Sequence, residues 1–157
     1  MALEKEAKMK VYLAAPFFTY NQIALVQGVE DMFATLKDYE LYSPRSEGII
    51  LKDMPPHRRK EFTRKVFDRN IEKIEWCNII VAIIDDRDPG TMFEMGYGHA
   101  RNKRIVSYTG QDYGLNVMLQ ECVVAHVRRL PDLAYLFQHG VTDGACANFQ
   151  VFNPNVT

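Results

Sequence analysis

The sequence predicts an α/β fold: one doubly wound, flavodoxin-like or Rossmann-like domain spanning residues 1–157, built on a five-stranded parallel sheet. Three observations carry this expectation. Apolar β-type runs alternate with stretches of helical periodicity, the pattern of βαβ units with right-handed crossovers. The run Ile79-Ile80-Val81-Ala82-Ile83-Ile84 is apolar without a break, as a central parallel strand covered on both faces requires. The length of 157 residues suits a single domain with one sizeable core.

Val11 to Ala15 reads as a first buried strand. Gln22 to Leu36 follows as a helix, with Ile23, Val26, Val29, Met32, Phe33 and Leu36 close to helical spacing. Tyr39 to Ser43 is a short second strand, and Pro44 to Pro56, punctuated by Ser, Gly and Pro, a long loop. Arg58 to Glu75 is helical, with Phe62, Val66, Phe67, Asn70, Ile71 and Ile74 on one face. After the central strand come a polar loop from Asp85 to Gly90, a helix from Thr91 to Asn102 and a fourth strand from Arg104 to Tyr108. A short helix near Asn116 to Gln120, a fifth strand from Cys122 to Val127 and a helix from Pro131 to Gln138 complete the order. Gly140 to Thr157 has little periodicity.

Nineteen Lys and Arg against twenty Asp and Glu leave a formal charge of -1, which argues against a nucleic-acid surface or a polybasic membrane anchor. No apolar stretch approaches the roughly 20 residues that span a bilayer, and Met1 to Lys10 lacks the apolar stretch of a signal peptide. Cys77, Cys122 and Cys146 are odd in number and widely spaced. Neither a disulfide framework nor a zinc knuckle is expected, and a cytoplasmic location is. His57, His99, His126 and His139 show no metal-ligand spacing.

Ligands of doubly wound folds bind beyond the carboxyl ends of the strands. The loops to search are Ala15–Gln22, Ser43–Pro56, Asp85–Glu94 and Tyr108–Met118. None is a phosphate cradle: the chain has no GxxxxGK-S/T, and Gly96-Tyr97-Gly98 falls inside a predicted helix. The first loop is aromatic. Phe17 and Phe18 either stack on a flat ligand such as a nucleobase or cap the core. The third is acidic, with Asp85, Asp86, Asp88 and Glu94 directly after the central strand. Two acids at one ligand can divide labour, one as ionised nucleophile and one as proton donor. Against this, Thr91-x-x-Glu94 reads as a capping box at a helix start, and Asp85 and Asp86 as a solvated loop. Asn116 reads as a turn residue or as a ligand for a sugar hydroxyl. The basic cluster His57-Arg58-Arg59-Lys60, with Arg64 and Lys65, is a solvated helix face rather than an anion site.

From about Lys10 to Leu119 these residues resemble a known family, the nucleoside 2-deoxyribosyltransferases. The resemblance begins with Val11-Tyr12-Leu13-Ala14-Ala15-Pro16-Phe17-Phe18 and continues through Ser43-Pro44-Arg45 and Asn70-Ile71-Glu72-Lys73-Ile74. Its most specific part is Asp88-Pro89-Gly90-Thr91-Met92-Phe93-Glu94-Met95-Gly96, which is similar to a D-x-G-T-x-F/W-E-x-G signature; Asn116-Val117-Met118 is similar to an N-L-M motif. The resemblance implies transfer of 2-deoxyribose between bases with retention, through a covalent glycosyl-enzyme. It makes Glu94 the nucleophile and Asp88 the residue that handles protons on the base. Tyr12 would orient the Glu94 carboxylate, Phe17 would stack on the base with Gln22 beside it, and Asn70 would sit at the substrate. Asn116 and Met118 would complete a neighbouring subunit's site within a homohexamer. No metal and no cofactor are implied; the partners are a deoxynucleoside and a free base, as in nucleotide salvage.

The chain departs from the family pattern at three places. Many members carry Asp where Asn70 stands, and the segment often reading D-N-Q or E-N-Q is Ser46-Glu47-Gly48 here. The tail ends Asn155-Val156-Thr157 without the usual aromatic residue. Two other activities fit the same loops. One is hydrolysis of a nucleoside or deoxynucleoside monophosphate at the N-glycosidic bond, with Arg45 and Arg58-Arg59 as candidate phosphate ligands. The other is non-catalytic binding of a base or nucleotide.

Overall fold

The computed structural model describes residues 7–48, 51–112 and 114–141. Five strands, β1 (Met9–Ala14), β2 (Tyr39–Tyr42), β3 (Ile79–Ile83), β4 (Arg104–Tyr108) and β5 (Ala125–Val127), form one sheet in the order β2-β1-β3-β4-β5. Every pairing is parallel. Five helices connect or follow them: α1 (Tyr20–Ala34), α2 (Pro56–Trp76), α3 (Pro89–Ala100), α4 (Val117–Cys122) and α5 (Leu130–His139). This is the doubly wound arrangement expected from the sequence.

Strand alternation divides the core in two. Val11 and Leu13 of β1 point into one apolar cluster with Val26, Val29 and Phe33 of α1 and Leu133, Leu136 and Phe137 of α5. Tyr12 and Ala14 point the other way, into a cluster with Ile74 of α2, Met95 of α3, and Leu115 and Val123 beside α4. All five residues of β3 are buried, as its unbroken apolar run demands. The order reverses between β1 and β3, and α1 and α3, which follow these strands, lie on opposite faces. Their N-termini therefore diverge and leave a crevice above the two strand ends.

Several boundaries differ from the sequence reading, each for a local reason. The segment from Pro44 to Pro56 contains two 3-10 turns, Pro44–Glu47 and Leu51–Asp53. The second strand's expected last residue, Ser43, instead starts the first of these turns. α2 starts at Pro56, a residue suited to the first helical position because its missing N–H has no helical partner to lose. The expected fifth strand from Cys122 is shorter: α4 runs through Cys122 and ends on Val123, so β5 keeps only Ala125–Val127. Short apolar runs suit either a strand or a buried helix turn. α3 begins at Pro89 rather than Thr91, and its N-cap is Asp88. The capping box expected at Thr91-x-x-Glu94 is therefore not formed. It occurs instead at the start of α1, where Thr19 and Gln22 bond each other's backbone N–H groups. Residues 142–157, including Cys146 and the C-terminal tail, lie outside the described residues.

Candidate active site

β1 places Tyr12 beside Tyr42 of β2 and Ile80 of β3 in the parallel register. Its ring is fully buried and stacks on Tyr42 with centroids 5.7 Å apart. The Tyr12 hydroxyl reaches across the layer to α3 and donates a hydrogen bond of 2.6 Å to Glu94 Oε1. With α3 starting at Pro89, Glu94 lies in its second turn, clear of the cap.

Glu94 is the most perturbed carboxylate among the described residues. Burial pushes its pKa up to about 7; the Tyr12 hydrogen bond acts in the opposite direction, and the charge of Asp88 adds to the rise. The Tyr12 phenol is pushed far above its ordinary value, first by burial and then by the Glu94 charge. Tyr12 is thus a donor only, and Glu94 can switch between acid and base near neutrality.

Asp88 has a structural task as well. Its Oδ2 accepts from Thr91 N–H at 2.8 Å and from the Thr91 hydroxyl at 3.0 Å, which caps α3 and fixes the carboxylate beside the same crevice. Asp88, Thr91 and Glu94 line a cleft of about 430 Å³ together with Phe17, Phe18 and Asn70. That volume falls within the range usual for small-molecule sites. Phe17 and Phe18 stack at 5.5 Å. Phe17 also packs on the α1/α5 core cluster, so the same ring that lines the cleft caps the core. Tyr42 lines the cleft too, and its hydroxyl is the buried side-chain polar atom left without a hydrogen bond among the described residues. Sequence reasoning missed Tyr42; the signal was its register position opposite Tyr12. Burial, then the Glu47 charge, raise the Tyr42 phenol to about 12, against the opposing effect of Arg69.

Not every candidate residue joins this cleft. Gln22 is buried at the start of α1 and lines a second hollow, of about 730 Å³, with Asp85, Asp86 and Gln111. Asn116 caps α4 by accepting from Leu119 N–H at 3.1 Å, and Met118 projects to the surface with 75% exposure. Neither lines the cleft of its own chain. Asp85 is not solvated as expected: it is 6% exposed and accepts from Gly110 N–H at 3.0 Å, which ties β3 to the loop after β4. Asp86 is exposed but fully engaged, accepting from the side chains of Gln22 and Gln111. Arg45 is taken up by Glu30 and Gln27.

Residues 11–132 match the sequence profile of the family described as nucleoside 2-deoxyribosyltransferase. The chain belongs to that family. It is therefore an enzyme of the deoxyribosyltransferase type, with nucleosides and bases as its substrate class. The matched span begins inside β1, takes in β2 to β5 and ends inside α5. Among solved structures, the chain is 26% identical to a 2-deoxyribosyltransferase from the psychrotolerant bacterium Bacillus psychrosaccharolyticus. That likeness covers 81% of this chain and 91% of the other, with a TM-score of 0.72. Two more distant structures share the fold: a conserved protein from Enterococcus faecalis V583 and a CMP N-glycosidase from Clostridium botulinum. The first is 16% identical, with a TM-score of 0.61, over 85% of this chain and 99% of the other. The second is 15% identical, with a TM-score of 0.57, over 82% and 98%. Among curated proteins none matches in sequence. Among the described residues, no helix of this deoxyribosyltransferase-family chain is long and apolar enough to cross a membrane.

Proposed function

We propose that the protein moves 2-deoxyribose from one nucleobase to another through a covalent ester on Glu94, with retention at the anomeric carbon. The observation that carries this reading is the Tyr12–Glu94 hydrogen bond, whose acceptor lines the same cleft as Asp88. In the first step a Glu94 carboxylate oxygen forms a bond to C1′ as the C1′–N bond breaks. Asp88 gives its proton to the departing base. In the second step a nitrogen of the incoming base attacks C1′ and passes its proton to Asp88, while the Glu94–C1′ bond breaks. Two inversions give retention. Tyr12 holds Glu94 in place by its hydrogen bond, and Phe17 and Phe18 offer a face for the base. The scheme uses no metal and no cofactor.

A nucleoside suits the cleft better than a nucleotide. Among the described residues, the two cations that line it have carboxylate partners: Lys65 pairs with Glu61, and Arg69 with Glu47 and Glu72. Arg45 pairs with Glu30. A 5′-phosphate would have to share these cations with their carboxylate partners and meet the carboxylates' charge. We further propose that the enzyme works as a homohexamer in which Asn116 and Met118 complete a neighbouring site. Their surface position away from the chain's own cleft supports this.

The test is chromatography of a deoxynucleoside incubated with a different free base. A new deoxynucleoside is the expected product. Free deoxyribose alone would make the protein a hydrolase, and unchanged substrate a binding protein.

A further inference from the structure

Asp86 and Arg87 are consecutive non-glycine residues with positive φ, +60° and +52°. Such a backbone persists only where its surroundings hold it. The hold on Asp86 is explicit. Gln22 Nε2 donates to Asp86 Oδ2 at 2.9 Å, and Gln111 Nε2 donates to Asp86 Oδ1 at 2.8 Å. The Asp86 N–H donates in turn to Gln111 Oε1 at 2.8 Å. These donors, Gln111 first, keep the Asp86 carboxyl below its ordinary range.

The other end of Gln22 faces the aromatic loop. Gln22 Oε1 accepts from Phe18 N–H at 2.9 Å and from Thr19 N–H at 3.1 Å. One buried amide therefore spans from the loop that carries Phe17 and Phe18 to the turn two residues before Asp88. Those are two walls of the cleft, and this link lies outside it.

We infer that Gln22 and Asp86 are positioning residues that set Asp88 against the base held by Phe17 and Phe18, without touching the substrate themselves. The inference rests on the transferase reading. It reassigns Gln22 from the base pocket, because Gln22 lines the second hollow and not the cleft, and its amide is engaged with Asp86 and the aromatic loop.

The polarity of the link can be reversed, and that supplies the test. In Asp86→Asn, the new amide brings a donor against the donors of Gln22 and Gln111, while Asn tolerates the left-handed backbone. In Gln22→Glu, carboxylate faces carboxylate. In the double variant, the introduced amide donates to the introduced carboxylate, whose other oxygen still accepts from the N–H groups of Phe18 and Thr19. The oxygen of the introduced amide still accepts from Gln111. Each single change is expected to lower kcat/KM for natural deoxynucleosides about tenfold or more, since small misplacements of a reacting group are costly. The double variant should recover to within about threefold of the starting enzyme, the sign of direct coupling. With a deoxyribosyl donor carrying a nitrophenol leaving group, which needs no proton, the single variants should lose much less. Should Gln22→Glu fail to fold, Asp86→Asn against the double variant still decides. Single variants that keep full activity overturn the inference, as does a double variant no better than the weaker single. Equal losses with both donor types, at an unchanged melting temperature, also overturn it. An unmodified protein that exchanges no base is a separate result, and it overturns the transferase reading together with this inference.

Discussion

Tyr12 and Glu94 lie 82 positions apart in the chain and meet at 2.6 Å, so the acidity of the α3 carboxylate is set in part from β1. The consequence is a pH dependence. Glu94 must be ionised to attack, and its pKa of about 7 means that kcat/KM should fall as the pH drops through neutrality. Tyr12→Phe removes the one interaction that lowers this pKa. The acid limb should then move up by about one unit, the scale of a hydrogen bond to a charged group. Rate profiles from pH 5 to 9 check this, and a limb that stays in place refutes it.

Glu94→Gln should lower base exchange by at least about 10³-fold, as loss of a nucleophile does. It should also raise stability, because a carboxyl with a raised native pKa binds a proton that the unfolded chain has lost. That contribution is complete below the unfolded pKa of about 4.3 and is lost as pH rises through about 7. A permanently neutral Gln escapes the loss. Calorimetry should find the variant melting a few degrees higher at pH 8, roughly 2–8 °C, with the gap closing at pH 5.

Asp88→Asn separates capping from chemistry. Asn caps helices about as well as Asp, so the melting temperature should change by no more than about 2 °C. Exchange from natural deoxynucleosides should fall by about 10²-fold or more, the range of general acid catalysis. A nitrophenyl deoxyriboside should be much less affected, and an equal loss with both donors would withdraw Asp88 as the acid.

Gly98 of α3 faces β3 so closely that an added Cβ would come within 2.2 Å of Ile80 Cδ1, and Ile80 is fully buried. Gly98→Ala should destabilise the fold by about 1–3 kcal/mol. Gly96, two residues earlier, has nothing within 4 Å of its Cβ position, so Gly96→Ala should stabilise by about 0.5–1 kcal/mol. Urea denaturation of the pair measures both signs.

Asn116→Ala and Met118→Ala should each reduce exchange, although neither residue touches the cleft of its own chain. Sedimentation should find an assembly of even order, a hexamer in the proposed form. A fully active monomer at assay concentration would refute the shared site.

The strands are the most legible part of the sequence. The bounds of β4, Arg104–Tyr108, agree with the sequence reading to the residue, and the unbroken run at β3 announces a strand buried on both faces. The helix starts are harder because one pattern occurs twice. Thr19-x-x-Gln22 and Thr91-x-x-Glu94 both have the spacing of a capping box, and only the first forms one. Asp88-Pro89 starts α3 two residues earlier than Thr91 and releases Glu94 from the cap. Composition and periodicity can nominate Asp88 and Glu94 but cannot bring Tyr12 to Glu94, since that contact depends on the packing of β1 against α3. Asp85 misleads for the related reason that its partner, Gly110 N–H, belongs to the loop after the neighbouring strand.

The alternation along β1 makes the chain unforgiving of length changes there. A single inserted residue before Tyr12 would swap the faces of Tyr12 and Leu13. It would put a phenol among the side chains packed on α1 and α5 and a leucine in the place of Ala14, and would leave Glu94 without its phenol donor. Core and chemistry would fail in one event. Among its described residues, the segment from Pro44 to Pro55 carries no strand, and it can absorb insertions and deletions that β1 cannot. Divergence in this lineage should therefore accumulate as length polymorphism between β2 and α2, next to the rim formed by Pro44, Glu47 and Leu51. Substrate range can drift there while the reaction centre stays fixed.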